Sequence, residues 1–427
     1  MKKIVIVDGI RTPFVKSWTL FDAMSAQQLG ALCVRELIER TGIKPGLVDE
    51  VIIGCVGQPI DAANVARVVS LLAGIPKDKR AYTVHRNCAS GFEAVTSAAE
   101  KIQLGVDEIV IAGGTESMSH APLNFSKESA AIFMELGRAK TFPQKLSVLS
   151  KFRLKHFQPV AALQLALTDP VCGLNMGQTA EVLVKKWGIR RAEQDEFALE
   201  SHQKVMAARE RLREEMMKVF VPPDYKKVVY DDTGVREGQT MEALAKLKPV
   251  FEKRSGSVTA GNSSQITDGA CALLVMDEAK AKSLGYEVLG TVRDYLYVGV
   301  EPSEMGIGPA YAIGGVLKRN QLRLKDIQLF EINEAFAAQV LSCLKALACP
   351  KFAEENFGMK EAFGEIPRDR LNVNGGAIAL GHPVGVSGAR LILTCLKEMK
   401  RRGYARGLVS LCVGGGQGGV VLLERNL

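Results

Sequence analysis

Gly42-Ile43-Lys44-Pro45-Gly46-Leu47-Val48-Asp49-Glu50-Val51-Ile52-Ile53-Gly54-Cys55 leads from a helix-like stretch, Ala31 to Thr41, into a short apolar strand, and the passage has a degenerate second copy far downstream. There, Ala312 to Asn320 leads through Gln321-Leu322-Arg323-Leu324-Lys325-Asp326 into the strand Ile327 to Ile332. Each copy is followed by a proline-marked entry, Ile75-Pro76-Lys77-Asp78 or Ile366-Pro367-Arg368-Asp369. A Gly-bearing turn with a helix comes next, then a strand ending in a glycine cluster, Gly113-Gly114 or Gly414-Gly415-Gly416. Val- and Ile-rich runs alternating with helical segments such as Ala62 to Leu72 argue for an α/β architecture with buried strands. Two similar β/α halves fused in one chain are the simplest account.

Between the copies, Ser119 to Lys248 has no counterpart and reads as an insertion with helices over Ala180 to Trp187 and Ala192 to Arg213. The expected organisation is a first half at 1–118 resumed at 249–280, an inserted segment at 119–248, and a second half at 281–427. Within the insertion, Ser126 to Phe157 mixes Lys127, Arg138, Lys140, Lys145, Lys151, Arg153 and Lys155 with Phe133, Leu146, Leu149, Phe152 and other apolar residues. This basic amphipathic module is either a solvated helix pair over the mouth of the site or a docking surface for a partner subunit or an anionic membrane.

Nearly half of the 427 residues are apolar and 24% are charged, values of a folded globular chain of two or three folding units. No apolar run reaches the roughly 18 residues of a membrane helix. The start, Met1-Lys2-Lys3-Ile4-Val5-Ile6-Val7, passes directly into a strand pattern, so no signal or transit peptide is expected. Nine cysteines without metal-type spacing point to a reducing, cytoplasmic setting and to no metal. A formal charge of +8 does not discriminate among phosphorylated ligands, membranes and nucleic acid.

Four segments carry chemistry. Cys88 stands in Asn87-Cys88-Ala89-Ser90-Gly91, between a β-prone run and a helix-compatible one, where the positive end of a helix dipole would favour a thiolate nucleophile. His382, fenced by Gly381 and Pro383, lies on an irregular loop and suits proton exchange. Cys412, ahead of Gly414-Gly415-Gly416, lacks the lysine and helix start of a phosphate loop and reads as a second reactive thiol. Asn333, in Asn333-Glu334-Ala335-Phe336, could hold a water beside a histidine nitrogen to form an oxyanion site. His120, His156 and His202 are expected at the surface, and His85 in a structural role.

Together the N-C-A-S-G, N-E-A-F, G-H-P with G-x-S-G-A-R, and C-x-G-G-G-x-G segments resemble the thiolase family, nearly end to end from Asp8-Gly9-Ile10-Arg11-Thr12-Pro13 onward. The resemblance implies two similar layered α/β halves (α-β-α-β-α) with an inserted loop domain. It implies reversible Claisen condensation, or its thiolytic reverse on 3-ketoacyl-CoA, through an acyl thioester on Cys88. His382 would take the thiol proton, Cys412 would exchange a proton with the acetyl-CoA methyl group, and Asn333, through a water, would stabilise the enolate-like oxygen. The Cys88 and Gly414 amides would hold the acyl-enzyme oxyanion. Coenzyme A and acetyl-CoA enter as substrates, with no tightly bound cofactor. Ser264 and Ala260 in Val258-Thr259-Ala260-Gly261-Asn262-Ser263-Ser264 would contact pantetheine, and Met176 and Phe336 would line the ligand; Arg236 is either a nucleotide contact or a solvated arginine.

Two subfamily signals differ. The insertion resembles the β subunit of the fatty-acid oxidation trifunctional complex and its bacterial counterparts, which implies a hydratase/dehydrogenase partner subunit or peripheral membrane contact through 126–157. Asn333 and Gly414-Gly415-Gly416 look like the acetoacetyl-CoA type, yet Asn175 stands where short-chain biosynthetic members carry a ligand-contacting histidine. Expected are an acetyl-CoA C-acyltransferase of fatty-acid β-oxidation or acetyl-CoA metabolism, a homodimer or homotetramer, and no nucleic acid. Two other readings are a ketoacyl synthase, which would use two histidines, and a non-catalytic lipid-binding or scaffold relative, which would have lost one of the chemical groups.

Overall fold

The computed structural model describes residues 2–425. The repeat read from the sequence is a repeat of strand order. In the first half, strands β1 (Ile4–Arg11), β2 (Glu50–Gly54), β3 (Arg80–Val84), β4 (Ile109–Glu116) and β5 (Thr267–Asp277) lie in the order β3-β2-β4-β5-β1. β2 is parallel to β3 and β4, whereas β5 is antiparallel to β4 and to β1. In the second half, β6 (Gly290–Gly299), β7 (Leu329–Ile332), β8 (Arg406–Val413) and β9 (Gln417–Glu424) lie in the order β7-β8-β9-β6. β7 is parallel to β8, and a parallel bridge from Phe330 to Leu371 occupies the place that β3 takes in the first half. The two half-sheets join where Val5 pairs with Thr291 and Ile6 with Gly290.

Alternate residues of each strand face opposite sides, so each half-sheet buries two faces. Val5, Val51, Ile53 and Ile111 pack with α1 (Ala26–Thr41) and α2 (Val65–Leu72) on one outer side. Ile6, Ile52, Val110 and Ala112 face inward with Val409, Leu411 and Val421 of the second half, around α3 (Ser90–Gln103) and α8 (Ser387–Arg402). Leu408, Val420 and Leu422 pack with α6 (Gly308–Arg319) and α7 (Ala337–Leu347) on the other outer side. The layering is therefore α-β-α-β-α. Within the first half, between β4 and β5 in sequence, run α4 (Met176–Trp187) and α5 (Arg191–Arg213).

Caps place the helix starts. Ser25 and Gln28 form a capping box, so α1 begins at Ala26 instead of the expected Ala31. Asn64 caps α2 at Val65. Asn175 and Gln178 cap α4, which brings its start back from the expected Ala180 to Met176.

Residues 121–168 form a compact unit of their own. It contains helices Lys127–Arg138 and Phe142–Leu149 and a small cluster in which Phe133 packs on Phe125 and Phe152, and Phe152 stacks on Phe157. Lys151 pairs with Glu135 and Lys155 with Glu128. The expected surface position of His156 is incorrect: it is buried, with Nδ1 accepting from the Arg153 amide at 3.0 Å. His202 is likewise buried, because the polar face of α5 packs under the 234–236 loop and its Nδ1 accepts from the Arg236 amide at 3.2 Å. His120 and His85 are exposed.

Candidate active site

Cys88 sits between the end of β3 and the start of α3, in a turn closed by Ser90, whose Oγ accepts from the Arg86 amide at 2.9 Å and donates to the Asn87 carbonyl at 2.7 Å. Asn87 is left-handed, with φ 43°, a conformation that asparagine tolerates better than most side chains. The backbone amides of Gly414 and of Cys88 itself favour the charged form of the Cys88 thiol. Burial nevertheless outweighs these amides and pushes the Cys88 thiol above its ordinary value. The apolar surroundings thus disfavour the charge against the helix start that favours it, and attack requires a base.

The histidine loop reaches the site through the central helices. Gly91 at the start of α3 lies against Gly385, Val386 and Ala389, because a Cβ there would come within 2.7 Å of the Ala389 nitrogen. Left-handed Gly381 (φ 106°) precedes His382, whose amide donates to the Gln265 carbonyl at 3.1 Å. Nδ1 of His382 lies 2.6 Å from Ser387 Oγ, and that hydroxyl lies 3.3 Å from the Pro383 carbonyl. A hydroxyl that donates to Pro383 accepts the Nδ1 proton, leaving Nε2 as a lone pair. Nε2 has no protein partner. Burial, and then the charge of Arg390, depress the His382 pKa to about 4, so the ring is neutral and able to accept a proton.

Cys412, at the end of β8, is 1% exposed and packs with Phe336, Ala335, Met305 and Met176. Burial first, and the neighbouring Cys88 second, hold its pKa well above the ordinary value. Asn333 directly follows β7 and is fully buried; its amide donates to the Ser410 carbonyl at 2.9 Å, and neither side-chain polar atom has a protein partner. Such an amide fits a bound water. The next residue, Glu334, accepts from Ser201 at 2.6 Å and from Asn372 at 2.8 Å, tying the strand end to the loop that leads to His382.

The remaining expected ligand contacts divide. Met176 Sδ lies 3.3 Å from where a Gly414 Cβ would be, and Phe336 meets Phe251 edge-on at 5.9 Å, and both belong to the same apolar cluster as Cys412. Ser264 is half-buried and its amide donates to the Ala335 carbonyl at 3.0 Å; Ala260 on the same turn is exposed. Arg236 is exposed, on a loop tethered by Gln265 Nε2 to the Gly234 carbonyl at 2.8 Å. Thus Cys88, Gly414, Cys412, Met176 and Phe336 meet directly, whereas Ala260 and Arg236 stand out on the surface.

Sequence reading missed the residues that hold these groups. Glu116 ends β4, is buried, and accepts from the amides of Val56, Gly57 and Gly385, joining the halves behind Cys88. Arg390 pairs with Glu331 at 3.6 Å in the core. Ser387 was within reach of the motif reading, since it lies in G-x-S-G; Glu116 carries no local signal at all.

The chain matches the family models of the thiolase N-terminal domain over residues 4–279 and the thiolase C-terminal domain over 286–425. It is 42% identical over 426 residues to a 3-ketoacyl-CoA thiolase of Pseudoalteromonas translucida, covering 99% of this chain and 97% of that one. It is 43% identical to one of Pectobacterium carotovorum, covering 99% and 96%. Among solved structures it is similar to the Bacillus anthracis acetyl-CoA acetyltransferase (TM-score 0.86, 38% identity, 99% of both chains). It is also similar to human mitochondrial 3-ketoacyl-CoA thiolase in complex with CoA (TM-score 0.84, 35% identity, 100% of this chain and 98% of that one). The chain belongs to the thiolase family.

Proposed function

We propose that this protein is an acetyl-CoA C-acyltransferase that cleaves 3-ketoacyl-CoA with coenzyme A, and runs the reverse condensation, through an acyl thioester on Cys88. The carrying observation is the hydrogen bond from Asn87 Nδ2 to the Gly414 carbonyl at 2.7 Å, which holds the turn bearing Cys88 against the end of the strand that bears Cys412. His382 Nε2 takes the Cys88 proton. The sulfur attacks the ketone carbon, whose developing oxyanion the Cys88 and Gly414 amides hold. The carbon-carbon bond breaks, Cys412 protonates the departing acetyl-CoA enolate, and Asn333 with its water steadies that enolate oxygen. Coenzyme A then gives its thiol proton to Cys412 and attacks the acyl thioester, and His382 returns its proton to Cys88. Two thiols are needed because an acylated cysteine has no base to offer.

The substrate is acetoacetyl-CoA or a longer 3-ketoacyl-CoA. Ser264 and Ala260 flank the pantetheine and Arg236 the nucleotide. Asn175 uses its side-chain oxygen to cap α4 at 2.9 Å, in place of the histidine of short-chain members. Two partners follow from surfaces. β3 is a half-exposed outer edge strand leading directly into Cys88, a template for antiparallel pairing with a second copy. The 121–168 unit has seven Lys or Arg against two Glu, and exposes Leu154 (91%) and Phe142 (77%), which suits docking on an anionic membrane or an acidic partner subunit. No helix among the described residues is long and apolar enough to cross a membrane.

Brief incubation with acetoacetyl-CoA in the absence of free coenzyme A should leave an acetyl group on the Cys88 peptide, read by mass spectrometry. Label on another residue, with Cys88 unmodified, would overturn the assignment.

A further inference from the structure

The turn that follows His382 is seated in a slot of glycines. Val386 N donates to the Pro383 carbonyl at 2.8 Å, so Pro383 to Val386 form a tight turn, and Ser387 N donates to the same carbonyl at 3.2 Å. A Cβ on Gly114 would lie 2.1 Å from the Gly385 carbonyl oxygen, one on Gly91 would lie 3.2 Å from it, and one on Gly385 would lie 3.2 Å from the Gly54 carbonyl oxygen. This turn of the second half therefore rests at backbone distance on β2, β4 and the start of α3. Steric contact limits how closely the turn approaches, but it carries no direction and does not stop sliding.

The directional bond comes from Glu116. The hydrogen bond that closes a tight turn joins its first and fourth residues and leaves the amide of the third unused. Here the third residue is Gly385, whose N–H donates to Glu116 Oε2 at 2.9 Å. Glu116 is buried at the end of β4, and its carboxylate is itself fixed: Oε2 also accepts from the Val56 amide at 3.1 Å, and Oε1 accepts from the Gly57 amide at 2.8 Å. Hydrogen bonds to an ionised acceptor are the strong kind, so the carboxylate anchors the turn to the first-half sheet. The Pro383 carbonyl that closes the turn lies 3.3 Å from Ser387 Oγ, and that hydroxyl lies 2.6 Å from His382 Nδ1. An unbroken chain of links thus runs from Glu116 through Gly385, Pro383 and Ser387 to the imidazole ring.

We propose that Glu116 is a positioning residue for His382: by holding the Gly385 amide it fixes the turn whose Pro383 carbonyl orients the Ser387 hydroxyl, and so keeps the ring where Nε2 can take the Cys88 proton. The proposal rests on the acyl-Cys88 reading above. Removing Glu116 has two effects of opposite sign. Burial first, and last the charge of Glu116, raise the Cys88 thiol, so loss of that charge alone would make Cys88 more reactive. Loss of the aim of His382 makes it less reactive.

The test uses the full chain with Glu116→Gln, which keeps the size but turns an NH2 group on amides that need an acceptor, and Glu116→Asp, which keeps the charge but draws the oxygens back by one methylene. Each is made alone and together with His382→Asn, and melting curves establish that the variants are folded; either replacement carries the comparison if the other does not fold. A misplacement of about 1 Å costs on the order of 10² in rate. Glu116→Gln and Glu116→Asp should therefore each lower kcat for thiolysis, and the single-turnover rate of Cys88 acylation, by about 10- to 100-fold, with KM within about threefold. Iodoacetamide labelling of Cys88 at pH 7 should slow. In the His382→Asn background the same replacements should cost less than about threefold further in acylation, because residues that act through one group are not additive. Wild-type acylation rates, faster labelling of Cys88, a loss confined to KM, or equal losses in both backgrounds would each overturn the positioning role. Absence of an acyl adduct on Cys88 in the wild-type protein would instead overturn the underlying functional reading.

Discussion

Gly91 and Gly388 meet back to back between the two halves: a Cβ on Gly91 would lie 2.7 Å from the Ala389 nitrogen, and one on Gly388 would lie 2.5 Å from the Phe92 nitrogen. This reciprocal contact lets α3 and α8 cross at backbone distance, and it brings the turn bearing Cys88 against the segment that follows His382. The glycines of N-C-A-S-G and G-x-S-G-A-R are thus one device seen from two sides.

Gly388→Ala should therefore destabilise the fold by about 1–3 kcal/mol, the usual cost of overpacking, because the facing atoms are backbone and cannot swing aside. Chemical denaturation checks the size. An unchanged unfolding midpoint would mean that the helices can separate without cost.

Burial holds the Cys88 thiol above its ordinary pKa, so little thiolate forms near neutral pH without a base. Iodoacetamide labelling of Cys88 at pH 7 should be at least tenfold slower in His382→Asn than in the wild-type protein, and should recover only as the pH rises past the usual thiol range of about 8.5. Equal labelling rates at pH 7 would remove His382 as the proton acceptor.

Replacing Cys412 by Ser should slow exchange of the acetyl-CoA methyl protons with solvent far more than acylation of Cys88. A serine hydroxyl fills the same buried place but does not ionise under these conditions. Hydrogen exchange followed by NMR, set beside single-turnover acylation, separates the two steps; equal losses would refute the division of labour.

Burial, then the charge of Arg236, lower the His202 pKa to about 4, against about 6.5 in an unfolded chain. The folded state resists protonation, so this contribution is fully present above pH ~6.5 and is lost as the pH falls toward ~4. His202→Asn should flatten the fall in melting temperature across that window, by at most about 3 kcal/mol in stability. Parallel melting curves for variant and wild type would contradict a buried neutral ring.

Lys140 and Lys145 are exposed, whereas Lys151 and Lys155 are engaged with Glu135 and Glu128. Reversing Lys140 and Lys145 to Glu should reduce sedimentation with phosphatidylserine vesicles at least tenfold at low salt, with turnover in solution unchanged. Unaltered sedimentation would remove the membrane as the docking partner of 121–168.

Much of this protein is written locally. Apolar strand-like runs alternating with helical segments, and the duplicated helix-to-strand passage, point to two β/α halves, because apolar runs and turn residues are properties of neighbouring residues. The candidate nucleophile, the candidate base and the second thiol are legible for the same reason: each sits in a short segment whose glycines mark irregular backbone, while the Asn333 amide is marked by its place directly after an apolar strand. What tertiary structure alone decided is how those groups behave. Cys88 stands at a helix start that favours a thiolate, but the apolar packing around it reverses the sign. His202 looked solvated on a polar helix, but the loop at 234–236 covers it. Glu116 and Asn87 act across 269 and 327 residues of sequence, on Gly385 and Gly414 respectively. Their role depends on the two halves being packed together, and a hydrogen bond between such distant positions leaves no periodicity or spacing in the chain to be read.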